Sequence, residues 1–420
     1  RGRSQGMIQG TILRKEVSNL RRDGYKHRFR GFRLLFRSQM EEYRRIMKPC
    51  SRTIGGLLCL IALLMADFAA AQAAYPPPVM EISPEHPLFL FHDGNTGGAA
   101  PEAYAAAVST HWAQLPDAVK PYSAMVLAFP GASAAAVLTP LQAAGVPVIA
   151  RVSGEGVGGR YKSADLEEMI RAFTVVRGIE AAGFSFDEYG VDEADDEGVL
   201  LSTRWLMGAT KTAASYGRLM FVSLEGLAAP RMMANRNTAA LYASFRATRE
   251  YITPIEQCRG VHAMQAISAL MGLWLEGAVA NWGIGADARW YTDARFLEPN
   301  QCGIGGDPSR MPAGLYRIMM LNGAMTGAAV YAFPWPQDLW FGINPAPWTG
   351  AILPTMQQII EGGFVARRDF VQKQTSVALQ LAPAETPEEF STNLREIDPV
   401  YHAGIMFTGL YGMERPWQFP

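Results

Sequence analysis

Short apolar runs alternate along most of the chain with longer stretches in which apolar residues recur every three or four positions. The short runs suit strands buried on both faces, and the longer stretches have the period of amphipathic helices. The pattern predicts eight strands, at residues 88–92, 125–129, 146–152, 183–187, 219–224, 261–265, 278–282 and 328–333. It predicts helices between most of them, at residues 101–112, 134–144, 163–179, 203–216, 241–251 and 313–322.

Eight strand–helix repeats over roughly 270 residues fit a (β/α)8 barrel better than a doubly wound sheet. The predicted barrel domain spans residues 74–365. Residues 371–381 and 403–411 resemble strands with no helix between them. We therefore interpret residues 366–420 as the start of a β-rich, sandwich-like region.

The first part of the chain resembles an export signal. A basic stretch from Met47 precedes an apolar run of about a dozen residues and a small-residue cleavage site, which is typical of a secretory signal peptide. Residues 47–73 are therefore interpreted as the signal, and residues 1–46 as upstream sequence. This predicts a secreted or periplasmic bacterial protein that is not inserted in a membrane after cleavage. A membrane anchor and a nucleic-acid-binding arm are the alternatives, although the run is short for a span.

The charge is divided unevenly along the 420 residues. Residues 1–53 hold 15 Lys and Arg against 4 Asp and Glu, and the remainder holds 23 against 35. An acidic body argues against binding of a nucleic-acid backbone, and it suits a neutral or sugar-like ligand. The hydrophobic content of 49% and the charged content of 18% exclude low-complexity disorder.

Cofactor and metal signatures are weak in this sequence. The six histidines and four cysteines show no metal-ligand spacing, so no metal or cofactor is expected. Cys258 and Cys302 remain after signal removal, and a disulfide between them and two separate buried thiols are both open. The glycines of residues 154–159 formally match a dinucleotide-binding motif, but they follow the third strand, so we interpret them as a substrate-side loop.

Carboxylates and aromatic residues gather where the predicted strands end. Glu188 and Glu225 follow neighbouring strands, and the carboxyl ends of barrel strands form the active site. Carboxylates that move protons, with Trp and Tyr faces that stack on sugar rings, are what a glycosidase requires. A solvated carboxylate at a strand end is the alternative for each of the two residues.

At these strand ends the sequence resembles glycoside hydrolase family 98. The segments that carry the resemblance are residues 183–189, 216–225, 272–283 with 290–291, and 321–333. The resemblance implies a secreted, endo-acting, inverting enzyme in which a barrel is joined to a β-sandwich region. It implies a blood-group A or B glycan, or a substituted xylan, as the oligosaccharide or polysaccharide substrate.

The resemblance implies Glu188 as the general acid, but it leaves the base open. The family's base positions fall at Ala280 and Pro334, which cannot accept a proton. Glu276 and Asp338 are the nearby carboxylates, and Glu276 is favoured because a buried acid in an apolar stretch is costly unless it is functional. The predicted substrate-binding residues are Glu225, Asn281, Trp282, Trp290, Tyr331 and Trp335. A glycan-binding pseudoenzyme of the same fold is the second hypothesis.

Overall fold

Eight parallel strands form a closed barrel in chain order, since β1 pairs with both β2 and β8. The computed structural model describes residues 75–93, 98–129, 134–153, 163–182, 196–225, 229, 239–258, 263–286, 313–333 and 347–375. The strands are β1 (Leu88–Asp93), β2 (Ser123–Ala128), β3 (Val148–Ser153), β4 (Val176–Ala182), β5 (Leu219–Glu225), β6 (Ile252–Cys258), β7 (Gly283–Ala286) and β8 (Val330–Phe333). The predicted (β/α)8 barrel is confirmed.

A helix lies between each pair of consecutive strands, and another follows β8. These helices are α1 (Pro101–Gln114), α2 (Ala134–Ala144), α3 (Ser163–Ala172), α4 (Asp196–Ser215), α5 (Ala239–Ala247), α6 (Ala263–Glu276), α7 (Ala313–Met325) and α8 (Leu353–Gly362). A π-helical turn, Trp348–Ile352, leads into α8, and α9 (Arg368–Gln374) comes after it. The helices run opposite to the strands, so each begins at the carboxyl ends of the strands and ends at their amino ends.

Alternate strand residues face the inside of the barrel. The lower half of this interior is filled by a cluster of apolar side chains: Leu88, Leu90, Ala124, Val126, Ile149, Leu219, Phe221, Ile255, Val330 and Ala332. The intervening residues face outward and form a larger core with the helices. The interior is therefore packed rather than hollow, as is usual for an eight-stranded barrel.

The fourth strand differs from the sequence prediction. The chain leaves α3 at Ala172 and forms β4 from Val176 to Ala182, whereas the sequence predicted a helix through residue 179 and a strand at residues 183–187. The β-branched residues after α3 favour extended backbone. The predicted strand at residues 183–187 lies outside the described residues.

The sixth and seventh strands also lie elsewhere than predicted. β6 contains Pro254, and a proline makes a run look unlike a central strand because it cannot donate a ladder hydrogen bond. The prediction of a strand at residues 261–265 is wrong for its last part, because α6 begins at Ala263. Residues 278–282 are not a strand but the turn after α6, which reverses at Gly277 (φ 85°) before the short β7.

The segment after the barrel begins with a helix. The sequence predicted a strand at residues 371–381, but Val371 lies in α9 and is buried. Arg368 donates hydrogen bonds to the carbonyls of Val279 and Ala280, and its guanidinium lies 5.4 Å from the ring centroid of Trp274. These contacts attach α9 to the turn after α6. The remainder of the predicted β-rich region lies outside the described residues.

Two glycines on the chain provide a matched test of the barrel register. A Cβ on Gly285 would lie 2.9 Å from the Cβ of Ala332 and 2.9 Å from its carbonyl oxygen, whereas a Cβ on Gly272 in α6 has no neighbour within 4 Å. We expect Gly285→Ala to lower the free energy of unfolding by about 1–3 kcal/mol. We expect Gly272→Ala to raise it by about 0.5–1 kcal/mol. Chemical denaturation of both variants measures this, and equal midpoints would contradict the β7–β8 pairing.

Candidate active site

Polar side chains replace apolar ones in the upper half of the barrel interior. Five strands contribute these polar side chains near their carboxyl ends, where barrel enzymes have their active sites. The residues are His92 on β1, Arg151 on β3, Glu180 on β4, Ser223 on β5 and Gln257 on β6. The cluster therefore lies directly beneath the mouth of the barrel.

Glu180 is the centre of this cluster, and it is fully buried. Nε2 of His92 lies 2.9 Å from each of the two carboxylate oxygens. The hydroxyl of Ser223 donates a hydrogen bond to Oε1, and Nε of Arg151 lies 3.8 Å from Oε2. One carboxylate thus connects β1, β3 and β5 to β4 through side chains.

His92 faces hydrogen-bond acceptors on both sides of its ring. Nδ1 lies 3.1 Å from the carbonyl oxygen of Phe333, and Nε2 faces Glu180. A carbonyl and a carboxylate only accept hydrogen bonds, so the ring of His92 bridges two acceptors, one on β8 and one on β4.

Two opposing effects determine the protonation of Glu180. Burial by itself would raise the pKa of the carboxyl group. The positive charges of His92 and Arg151 outweigh it, together with the hydrogen bonds from His92 and Ser223, and they hold the pKa at about 2. Glu180 therefore stays ionised near neutral pH and is unsuited to donate a proton as a general acid.

A second pair joins the end of β1 to α1. Nδ1 of His111 lies 2.6 Å from Oδ2 of the buried Asp93, and the hydroxyl of Tyr104 donates to the Asp93 carbonyl oxygen. Burial, and then the charge of Asp93, raise the pKa of Tyr104 well above its usual range. This pair fixes the helix that follows β1 against the carboxyl end of the barrel.

Glu276 lies at the opposite face of the barrel from these ends. It is the last residue of α6, and a helix of this barrel ends at the amino ends of the strands. The carboxylate accepts hydrogen bonds from Tyr242 and from Nη2 of Arg246 (3.1 Å), and half of it is exposed. This position does not bring Glu276 to the candidate active site.

Ala280, Asn281 and Trp282 lie on the same amino-terminal face, before β7. Asn281 donates its amide hydrogen to the carbonyl of Ile82, which precedes β1. Trp282 is fully buried, so its ring cannot stack on a sugar. The sequence placed these residues at a strand end because it placed the seventh strand too early.

Tyr331 lies on β8 but faces outward. Its ring stacks on that of Phe89 with centroids 5.2 Å apart, and its hydroxyl donates to the Ala328 carbonyl oxygen at 2.8 Å. The side chain is fully buried in the core between strands and helices. Tyr331 is therefore a packing residue, and the alternation of inward and outward positions along β8 explains its placement.

The other predicted site residues are less fully described. Glu225 ends β5 and pairs in register with Gln257, which is the expected strand end. The remaining four lie outside the described residues: Glu188, Trp290, Trp335 and Asp338.

The comparisons with known proteins agree with this geometry. Residues 161–364 match the sequence model of Glycosyl hydrolase family 98. The catalytic module of a family 98 glycoside hydrolase from Streptococcus pneumoniae TIGR4 matches the fold in its native form, with a TM-score of 0.57 at 16% identity. The predicted resemblance to glycoside hydrolase family 98 is confirmed.

The same catalytic module also matches in two complexes. One contains the LewisY pentasaccharide blood group antigen (TM-score 0.56) and the other the H-disaccharide blood group antigen (TM-score 0.55), each at 16% identity. In each of these structures the match covers 72% of this chain and 56% of the other chain. At this identity the likeness shows the fold alone. No curated protein matches the chain.

Three further observations concern the described part of the family 98-like barrel. Within it, no group of three His, Cys, Asp or Glu side chains could hold a metal ion. None of its helices is long and apolar enough to cross a membrane. Cys258 is buried in β6, and Cys302 lies outside the described residues.

Glu180 is not among the site residues that the sequence predicted. Its signal was present, because Glu180 stands between apolar residues, Ile179 and Ala181, where a buried charge requires partners. The helical pattern continued to residue 179 and hid the strand. The partners of Glu180 come from β1, β3 and β5. No spacing pattern in the sequence indicates that these residues contact a residue of β4.

The Glu180 cluster makes a prediction for acid stability. A carboxyl whose folded pKa is depressed stabilises the fold above its unfolded pKa, near 4.5, and this contribution is lost as the pH falls toward about 2. The contribution is about 3 kcal/mol. We expect Glu180→Gln to melt below the wild type at pH 7, with the gap shrinking as the pH falls below about 4.5. Thermal melting across pH measures this.

The matched control for that experiment is Glu250→Gln. Glu250 is more than half exposed and pairs only with the neighbouring Arg249 among the described residues. Its substitution should leave the melting curve nearly unchanged at every pH. A gap for Glu180→Gln that stays constant from pH 7 to pH 3 would contradict a depressed pKa.

Proposed function

We propose that the chain is an endo-acting, inverting glycoside hydrolase that cleaves a complex glycan or polysaccharide. The observation that carries this proposal is the family 98 match over residues 161–364. A barrel whose interior becomes polar toward its carboxyl ends supports it, because polar groups there suit a polar ligand.

The proposed substrate is a blood-group type galactoside or a substituted xylan. The Streptococcus pneumoniae module is described in complex with LewisY and H-disaccharide antigens, which supports the first class. The 16% identity and the 56% coverage of that module make the substrate a proposal for this chain.

The proposed mechanism uses two carboxylates that follow different strands in the sequence. Glu188 follows β4, and Asp338 follows β8, which lies on the opposite side of the eight-stranded ring. Glu188 protonates the departing glycosidic oxygen, while Asp338 accepts a proton from the water that attacks the anomeric carbon from the other face. The anomeric configuration then inverts.

The ionised Glu180 has a different role from either of these residues. It is fully buried and retains its negative charge near neutral pH. It therefore supports the floor of the barrel mouth and takes no part in the proton transfers that the mechanism assigns to Glu188 and Asp338.

The proposal includes export through the signal at residues 47–73. The basic stretch, apolar run and small-residue cleavage site support it. Expression of the chain in a bacterial host, followed by N-terminal sequencing of the extracellular and periplasmic fractions, tests it. A mature protein that begins near residue 74 is expected, and a chain that stays uncleaved would refute export.

A glycan-binding protein without turnover is the second candidate. It is favoured by Pro334, which directly follows β8 and cannot accept a proton. Ala280 no longer supports this candidate, because it lies on the amino-terminal face of the barrel and its carbonyl accepts a hydrogen bond from Arg368.

Incubation of the chain with a glycan panel separates the two candidates. The panel includes blood-group A and B oligosaccharides and substituted xylans, with product release and binding measured on the same samples. Release of new oligosaccharide ends in the inverted anomeric form, detected by proton NMR, is expected. Binding without release would support the second candidate.

Glu188→Gln tests the proposed acid. The amide has nearly the same shape as the carboxylic acid but cannot donate its proton to the leaving oxygen, so turnover should fall by at least about 100-fold. Glycan affinity should change little. Kinetics and calorimetric titration measure the two quantities, and turnover near the wild-type rate would exclude Glu188 as the acid.

Glu276→Gln is the matched variant on the opposite face. Because Glu276 contacts Tyr242 and Arg246 at the amino ends of the strands, we expect turnover to stay within about twofold of the wild type. A loss comparable to that of Glu188→Gln would make Glu276 the base after all.

A further inference from the structure

Arg151 differs from the other residues of the polar cluster in its exposure. His92 and Glu180 are buried, whereas 34% of the Arg151 side chain is exposed. Arg151 lies on β3 and pairs in register with Ala128 and with Glu180. Its guanidinium therefore starts at the level of the buried carboxylate and remains accessible from the mouth of the barrel.

The guanidinium of Arg151 has hydrogen-bonding capacity to spare. Its Nε lies 3.8 Å from Oε2 of Glu180, a distance that suits an ion pair but is too long for a hydrogen bond. Among the described residues it forms no hydrogen bond, although an arginine carries five N–H donors in a planar fork. By contrast, Arg246 donates to Glu276 and Arg368 donates to two carbonyls.

The hydrogen bonds of the cluster leave Arg151 available for a ligand. Nε2 of His92 lies 2.9 Å from both oxygens of Glu180, and Ser223 donates to Oε1, so the carboxylate has hydrogen-bond partners other than Arg151. A partly desolvated guanidinium with unused donors favours an oxygen acceptor from outside the cluster.

We propose that Arg151 is a substrate-binding residue whose guanidinium fork donates to a pair of oxygens on the bound glycan, and that Glu180 is the positioning residue that holds it. This inference rests on the proposed function, in that a glycan is the ligand. Two chemical groups present such a pair of oxygens: adjacent hydroxyls of a neutral sugar, and the carboxylate of an acidic sugar substituent. Both accept two parallel N–H hydrogen bonds.

The test compares Arg151→Met with Arg246→Met in the full chain. Both changes replace an arginine by an uncharged side chain, but Arg246 lies on the amino-terminal face and is 53% exposed. The probes are xylo-oligosaccharides with and without glucuronate substituents and blood-group A and B oligosaccharides, titrated by calorimetry. Arg151→Met should lose at least about tenfold in affinity for the glycan that the wild type binds, because a hydrogen bond to a charged group is lost.

Arg151→Lys serves where Arg151→Met fails to fold. It retains the charge but not the planar fork, so we expect a smaller loss that is still measurable. Unchanged affinity in a folded Arg151 variant would overturn the proposal. A wild type that binds no glycan of the panel would overturn both this proposal and the proposed function.

Binding and turnover are read separately in this design. A wild type that binds but does not cleave refutes the hydrolase, while the loss of binding in Arg151→Met still supports Arg151 as a ligand contact. Added salt distinguishes the acceptors, since affinity for a carboxylate weakens with salt and affinity for a hydroxyl pair does not. Equal loss in Arg246→Met would show a general effect on the fold and overturn the assignment.

The positioning role of Glu180 is tested separately, by steady-state kinetics. We expect Glu180→Gln to raise KM several-fold with kcat largely retained, because the orientation of Arg151 is lost while the groups that transfer protons remain. Glu180→Asp keeps the charge and should restore part of the affinity. A fall in kcat with KM unchanged in Glu180→Gln, or no rescue by Glu180→Asp, would assign Glu180 no role in positioning Arg151.

Discussion

Closure of the sheet is the constraint on which the rest of this structure depends. Because β8 pairs with β1, no strand is left with an unpaired edge, and the inward side chains of all eight strands must share one limited volume. Glycines face the interior where neighbouring strands leave no room, as at Gly283 against Val330. The lower half of that volume is apolar, which leaves the upper half as the place where polar chemistry is possible.

A buried carboxylate in such an interior is stable only when its charge is matched. Glu180 obtains this compensation from His92, Arg151 and Ser223, on strands that closure brings around it. Through these side-chain contacts the cluster links β4 to its neighbours β3 and β5 and to β1. It also gives the floor of the mouth a defined charge pattern, from which the accessible Arg151 extends toward solvent.

The direction of each element decides which residues can reach the mouth. Glu276 and Asn281 belong to the segment that resembles the family's active-site motif, but Glu276 ends α6, Asn281 follows that helix, and both lie at the amino ends of the strands. Tyr331 is on a strand, but its position in the inward–outward alternation of β8 turns the side chain outward, where it packs on Phe89. A shift of a few residues in a strand boundary is therefore enough to move a candidate from the active face to the opposite face.

The sequence alone determined the class of the fold, because the alternation of strand and helix periods is a local property. The resemblance to family 98 was carried by its short motifs. Its prediction for α2, Ala134–Ala144, agrees with the structure, since no competing pattern overlaps that helix. The sequence misplaced three strands. A continuing helical period obscured β4, a proline obscured β6, and two glycines obscured β7. The partners of Glu180 and the outward direction of Tyr331 were decided only by the tertiary structure. Both depend on which strands face one another in the closed barrel, a relation between residues far apart in the chain.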